Sequence, residues 1–203
     1  RRILPVITAL ERETSACLSV DTYKPEVALE ALRAGAHIVN DIGGLRLPRM
    51  REAVRCTGAG AVAMHMQGAP ATMQRAPFYT DVLGEVRGHL AESLELCVRD
   101  GINPSQIAID PGIGFGKTVR HNLDLLKGIS KVADLGRPVL LGVSRKSFLS
   151  SLSGSESLED RLWPTVALTV YARMCGVSIL RVHDVPANVE ALRVSENLLK
   201  ACA

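Results

Sequence analysis

Ile107-Ala108-Ile109-Asp110-Pro111-Gly112 is a short apolar run that stops abruptly at a carboxylate, a proline and a glycine. The same arrangement recurs at Ala16–Val20, His37–Val39, Ala61–Met64, Val139–Val143 and Ile179–Val182. Each run is brief and nearly continuous in apolar character, which predicts strands buried on both faces. Helical patterns lie between them. Pro25–Leu32 opens on proline and ends before Gly35, the expected asymmetry of a helix start and stop. Val82–Val98 and Leu162–Met174 have similar apolar spacing, and Pro186–Leu199 follows Asp184 with proline again at its start.

Strands alternating with helices give right-handed βαβ units and parallel sheet. An open doubly wound sheet and a closed barrel both satisfy that pattern, and both gather function at the C-terminal ends of strands. An open sheet concentrates its site at one switch point. Here six strand ends are polar: Asp21-Thr22, Asn40-Asp41, His65-Met66-Gln67, Asp110-Pro111-Gly112, Ser144-Arg145-Lys146 and His183-Asp184. That favours a (β/α)8 TIM barrel in a single domain over residues 1–203, with about six of the eight βα units in view. A whole barrel usually takes about 250 residues. Arg1–Leu10 reads as a helix without its preceding strand, and the chain starts on Arg rather than Met. The expectation is an incomplete chain that lacks the first two units.

Composition narrows the function. Hydrophobic residues make up 47%, charged residues 22% and aromatics 3% of the chain, so Val, Ile, Leu and Ala must fill the core. So few aromatics leave no stacking platform for single-stranded nucleic acid. The net charge of +3 is spread without a long basic run, which also argues against a nucleic-acid partner. Cys17, Cys56, Cys97, Cys175 and Cys202 are odd in number and never in C-x-x-C, which points away from a disulfide framework or zinc site and towards a reducing cytoplasm. No apolar run is long enough for a membrane span.

The polar strand ends supply the candidate chemistry. Asp21, Asn40-Asp41 and Asp110 could each be a local cap, and one of the Asn40-Asp41 pair could be structural. Together they offer acceptors and a carboxamide to a flat heterocycle with a donor–acceptor edge. Gly112-Ile113-Gly114-Phe115-Gly116-Lys117-Thr118 fails both the Walker pattern and G-x-G-x-x-G, leaving a flexible loop that carries Phe115. Arg145 and Lys146 are adjacent cations at a strand end, there to meet solvent, an anion or an electron-rich ring. Arg181 and His183 are two apart in a strand that Ile179, Leu180 and Val182 predict to be buried, so they would share a face and form an anion clamp. His65-Met66 reads more weakly, as core and rim packing. Neither a metal-ligand histidine pair nor a Ser/His/Asp triad is legible.

Taken in order, Ser19–Thr22, Gly35–Ile42, His65–Gly68, Asp110–Lys117, Gly142–Phe148 and Arg181–Val185 resemble the dihydropteroate synthase family. The resemblance implies a cytoplasmic, homodimeric (β/α)8 transferase of folate biosynthesis. It would join p-aminobenzoate to a hydroxymethyl-dihydropterin diphosphate and release pyrophosphate. Asp21, Asn40, Asp110 and Lys146 would hold the pterin, with Met66, Phe115 and Gly142 around it. Arg181 and His183 would grip the diphosphate, and Ser147 with Lys146 would face p-aminobenzoate. Of these, Lys146, Arg181 and His183 would be catalytic. Mg2+ is implied as well, although the family's usual Asn ligand, on an Asn-Val-Thr-Pro-Asp-Ser-Phe-like loop, has no counterpart here; nor has its Ser-Thr-Arg-Pro-like loop. The expectation is that the chain alone binds pterin weakly and turns over little. Two alternatives are a non-catalytic pterin-binding remnant and a pterin-binding methyltetrahydrofolate methyltransferase. The Ser-Arg-Lys-Ser-Phe loop and the Arg-x-His pair favour the synthase over the methyltransferase.

Overall fold

A computed structural model describes residues 2–154, 157 and 159–201, so Cys202 lies outside the described residues. The chain divides into two compact units: Arg1–Met66 with Val86–Asp110, and Gln67–Glu85 with Pro111–Ala203.

The first unit holds β1 (Ser19–Asp21), β2 (Ile38–Asp41), β3 (Gly60–Met64) and β4 (Ile107–Asp110), all parallel and in sequential order. Helices α1 (Leu4–Glu13), α2 (Pro25–Arg33), α3 (Pro48–Thr57) and most of α4 (Val82–Arg99) accompany them. Each of the first three carries proline in its opening turn, where the missing N–H removes no helical bond. The core joins Val39, Ala61, Ala63 and Ile107 of the strands to Ala28, Ala31, Met50, Val54 and Cys97 of the helices. Small residues such as Ala28, Ala31, Ala61 and Ala63 let helix and sheet pack without aromatics between them.

Strands β2, β3 and β4 are buried along nearly their whole length, as their apolar runs predict. β1 departs from that prediction: only Val20 is buried, with Ser19 and Asp21 exposed on either side. As the terminal strand of the four-stranded sheet, it is paired along one edge by β2.

The second unit contains β5 (Leu140–Leu141) paired in parallel with β6 (Ile179–Leu180). Around them are α5 (Val119–Lys127), α6 (Ile129–Ala133), α7 (Phe148–Ser153), α8 (Leu162–Met174) and α9 (Val185–Ala201). The strand-like runs Val139–Val143 and Ile179–Val182 shrink to two paired residues each. Burial of Ile179, Leu180 and Val182 is not observed: Ile179 is 37% exposed, and the other two are half-buried. β6 is thus an edge strand within its unit, and Arg181 and His183 lie just beyond it rather than inside it. The ladder reaches one step further, Arg181 N–H donating to Leu141 O at 3.0 Å. Between α8 and α9, Thr169 donates to buried Asn188 Oδ1 at 2.7 Å, and Asn188 Nδ2 donates to Asp184 O at 2.8 Å. Among the described residues no helix is long and apolar enough to cross a membrane.

Candidate active site

Strand register places the first group of site residues. Asp21 pairs with Asn40, Asn40 with Val62, and Val62 with Ala108. Side chains of paired residues share a face, and Asp110, two beyond Ala108, returns to it. Asp21, Asn40 and Asp110 therefore project from one side of the sheet at its C-terminal edge. Asp41, one residue out of phase, points to the other side.

This parity separates Asn40 from Asp41. Buried Asp41 accepts from Gly43 N–H at 2.8 Å and Leu45 N–H at 2.9 Å. Those bonds brace the turn in which Leu45 takes a φ of 57°. Burial pushes the Asp41 carboxyl above its ordinary pKa, and the two N–H donors act in the opposite direction. Asn40 is 2% exposed and donates Nδ2–H to Asp21 Oδ1 at 2.7 Å. That bond orients the amide, and Asn40 Oδ1 is left buried without a hydrogen-bond partner. A buried acceptor in this state costs free energy until a donor arrives. Asp110 is 3% exposed, its backbone carbonyl taken by His65 N–H at 2.9 Å. His65 packs edge-on to His89 with ring centroids 4.8 Å apart, a packing role as the sequence suggests. Met66, half-buried, follows directly.

The second unit brings the remaining candidates to two cavities. One, of about 490 Å3, is lined by Phe115, Lys146 and Ser147 together with Met73, Gln74 and Asn122. The other, of about 310 Å3, is lined by Gly142, Ser144, Lys146, Arg181, Val182 and His183. Lys146 lines both. Its ammonium sits 4.7 Å from the Phe115 ring centre and donates to Ile113 O, so of the three partners the sequence leaves open it meets the electron-rich ring. Gly142 lies against Arg181: a methyl group there would stand 3.4 Å from Arg181 Nε.

The glycine loop is not flexible in the way its composition suggests. Gly112, Ile113, Gly116 and Lys117 are buried. Lys117, 3% exposed, donates to Gly112 O at 2.9 Å and Phe115 O at 3.0 Å. Asn122 accepts from Gly114 N–H at 2.8 Å, Gln74 donates to Gly114 O at 2.5 Å, and Tyr79 donates to Gly116 O at 2.9 Å. Burial, with the Glu85 charge nearby, pushes the Tyr79 phenol up to about 12 and keeps that donor protonated. Five backbone groups that glycine would leave loose are thereby fixed around Phe115. The sequence reading missed Gln74, Tyr79, Lys117 and Asn122 in this role: Gln74 and Tyr79 reach the loop from about forty residues away, and the local bonds of Lys117 and Asn122 follow no periodic pattern.

Arg145 is likewise partnered rather than solvated. Its guanidinium forks onto Asp184, Nε at 3.0 Å and Nη2 at 2.5 Å, and this holds the Asp184 carboxyl below its usual range. Its backbone adopts a φ of 57°, a conformation that side chains with a Cβ resist. Thr165 Oγ1 accepts its N–H at 3.2 Å, and Arg161 Nη1 donates to its carbonyl at 2.9 Å. Two residues of the following helical segment thus over-determine the strained turn.

Among the described residues, no group of three or more His, Cys, Asp or Glu side chains gathers where it could hold a metal ion. Mg2+ usually takes one or two carboxylates beside substrate phosphate oxygens and water, so this bears only on a site built wholly of protein.

Residues 1–183 match the model of the family described as pterin binding enzyme. Dihydropteroate synthase of Escherichia coli K12 is 43% identical over 201 residues, spanning 99% of this chain and 71% of that protein. The structure of Yersinia pestis dihydropteroate synthase in a sulfonamide drug complex superposes with a TM-score of 0.94 at 40% identity, covering 98% of this chain and 73% of the other. Dihydropteroate synthase of Xanthomonas albilineans, in complex with 7,8-dihydropteroate, gives a TM-score of 0.92 at 41% identity, with coverages of 98% and 71%.

Proposed function

The chain belongs to the dihydropteroate synthase family of pterin-binding enzymes, an α/β fold of the (β/α)8 class carried here by six βα units, and from that premise we propose how its residues act. It is a transferase that condenses p-aminobenzoate with hydroxymethyl-dihydropterin diphosphate and releases pyrophosphate. The observation that carries this reading is the buried, unpartnered Asn40 Oδ1, with its amide oriented by Asp21. Asn40 Oδ1 and the carboxylates of Asp21 and Asp110 present acceptors from one sheet face. The aminopyrimidinone edge and ring N–H groups of a reduced pterin are the matching donors.

Departure of diphosphate breaks the C–O bond at the pterin methylene and develops positive charge there and negative charge on the leaving group. Arg181 and His183, with the Lys146 ammonium lining the same cavity, stabilise the anion. The Asp110 carboxylate favours the cationic fragment. The amine of p-aminobenzoate then forms the new C–N bond and loses a proton. Phe115, Lys146 and Ser147, which line one cavity, fix its approach, so the rate gain here is one of positioning. This scheme needs no protein nucleophile.

A homodimer in the cytoplasm belongs to the same proposal, and light scattering of the purified chain tests the stoichiometry. The reaction itself is tested by supplying both substrates and following 7,8-dihydropteroate and pyrophosphate. Product formation that falls sharply in Asn40→Leu and Arg181→Ala supports the assignment. Pterin binding without any p-aminobenzoate-dependent pyrophosphate release would replace it with the binding-remnant reading.

A further inference from the structure

The cavity lined by Arg181 and His183 contains one polar residue to which no role has been given. Ser144, three residues beyond β5, is 7% exposed. Its Oγ accepts the backbone N–H of His183 at 3.1 Å and lies 2.9 Å from His183 Nδ1. A serine hydroxyl brings one proton and two acceptor positions. The backbone N–H occupies one acceptor position, and the hydroxyl proton, nearly buried, needs an acceptor of its own. His183 Nδ1 is the acceptor within reach. Donation by Ser144 fills the Nδ1 lone pair and leaves the ring proton on Nε2.

We propose that Ser144 is a positioning residue for the diphosphate step: it holds the His183 ring by Nδ1 and keeps Nε2–H as the donor offered to the leaving phosphate oxygens. The opposite tautomer would present a bare nitrogen lone pair to an anion. A second link between the same strand ends, the Arg145–Asp184 fork, keeps Ser144 and His183 in register. The strained φ at Arg145 is part of the turn that directly follows Ser144.

This inference rests on the diphosphate reading of the cavity. Its test is a double-mutant cycle measured by calorimetry with inorganic pyrophosphate on the full chain: wild type, Ser144→Ala, His183→Ala and the pair. Loss of one such hydrogen bond weakens binding by roughly fivefold in Ser144→Ala. If Ser144 acts through His183, the same change in the His183→Ala background costs almost nothing further. Ser144→Thr, which keeps the hydroxyl, retains affinity. Equal losses in both backgrounds, or full affinity in Ser144→Ala, overturn the proposal. Should Ser144→Ala fail to fold, Ser144→Cys replaces it in the cycle.

A ligand-independent arm reads the imidazole nitrogens of His183 by long-range 1H–15N correlation, assigned by their disappearance in His183→Gln. Wild type should show one fixed Nε2–H pattern, and Ser144→Ala an averaged one. Identical patterns sink the inference even if pyrophosphate binds. Absence of pyrophosphate binding to the wild type would instead count against the diphosphate reading, and the nitrogen spectra would still decide the role of Ser144.

Discussion

Asp21 and Asn40 illustrate how one bond orients an amide. The 2.7 Å contact from Asn40 Nδ2 to Asp21 Oδ1 sets which end of the amide is left over for the pterin in the proposed reading. Asp21→Ala removes an acceptor and releases that orientation, so affinity for a reduced pterin should fall by roughly tenfold or more. The melting temperature should fall only modestly: Asp21 is exposed, and the Asn40 amide loses its acceptor. Fluorescence titration beside a thermal melt separates the two effects; a large melting shift with intact affinity would make Asp21 a structural residue instead. Gly116 tests the opposite case. It has a φ of +60°, and a Cβ there would meet Gln67 O at 2.5 Å. Backbone cannot yield as a side-chain tip does. Gly116→Ala should therefore destabilise by roughly 1–3 kcal/mol in urea unfolding, and should displace Phe115 with a loss of p-aminobenzoate affinity.

Among the elements, α3 is tied down by an ion that its sequence does not advertise. Arg51 is 2% exposed, and its guanidinium donates to Asp100 at 2.6 Å, Leu45 O at 2.7 Å and Arg46 O at 2.8 Å. It joins α3 to the turn after β2 and to the residue that follows α4. Removing the guanidinium strands the carbonyls of Leu45 and Arg46, while Asp100, partly exposed, turns to water. Arg51→Ala should cost about 1–3 kcal/mol in denaturant unfolding, whereas the exposed pair Arg33–Glu30 should contribute within about 0.5 kcal/mol. A cost for Arg51→Ala as small as that of Arg33→Ala would show that water replaces the guanidinium. The element boundaries show how far periodicity carries. Leu162–Met174 forms the helix its apolar spacing predicts, and Pro25 starts α2 as proline should. Helices α3, α5, α6 and α7 were not read from the sequence. α3 has few apolar positions, and α6 and α7 are only five and six residues long, too short to set a period.

On the scale of the whole chain, acid should be the disruptive condition. Asp100 and Asp184 are both held below the usual carboxylate range by their arginines, so the folded chain binds their protons more weakly than the unfolded chain does. The stability they contribute is present above the ordinary carboxylate value of about 4 and is lost as pH falls through their lowered folded values. Asp41, raised by burial, acts with the opposite sign: its contribution is fullest when protonated and declines as pH rises. With two lowered groups against one raised, urea midpoints should drop on acidification below about pH 4. The drop should be shallower in an Arg51→Met, Arg145→Met variant; an unchanged slope would assign acid sensitivity to other carboxylates. The sequence alone determined the alternation of strand and helix, the polar strand ends and the family, because those rest on local periodicity and on ordered motifs within single segments. Tertiary structure alone decided which residue of Asn40-Asp41 shares a sheet face with Asp21 and Asp110, that Gln74 and Tyr79 reach the glycine loop, and that Arg145 is spent on Asp184. It also placed Arg181 and His183 beyond an edge strand and set Ser144 behind His183. Each of those outcomes depends on strand register or on bonds between segments distant in the chain, and no local pattern encodes them.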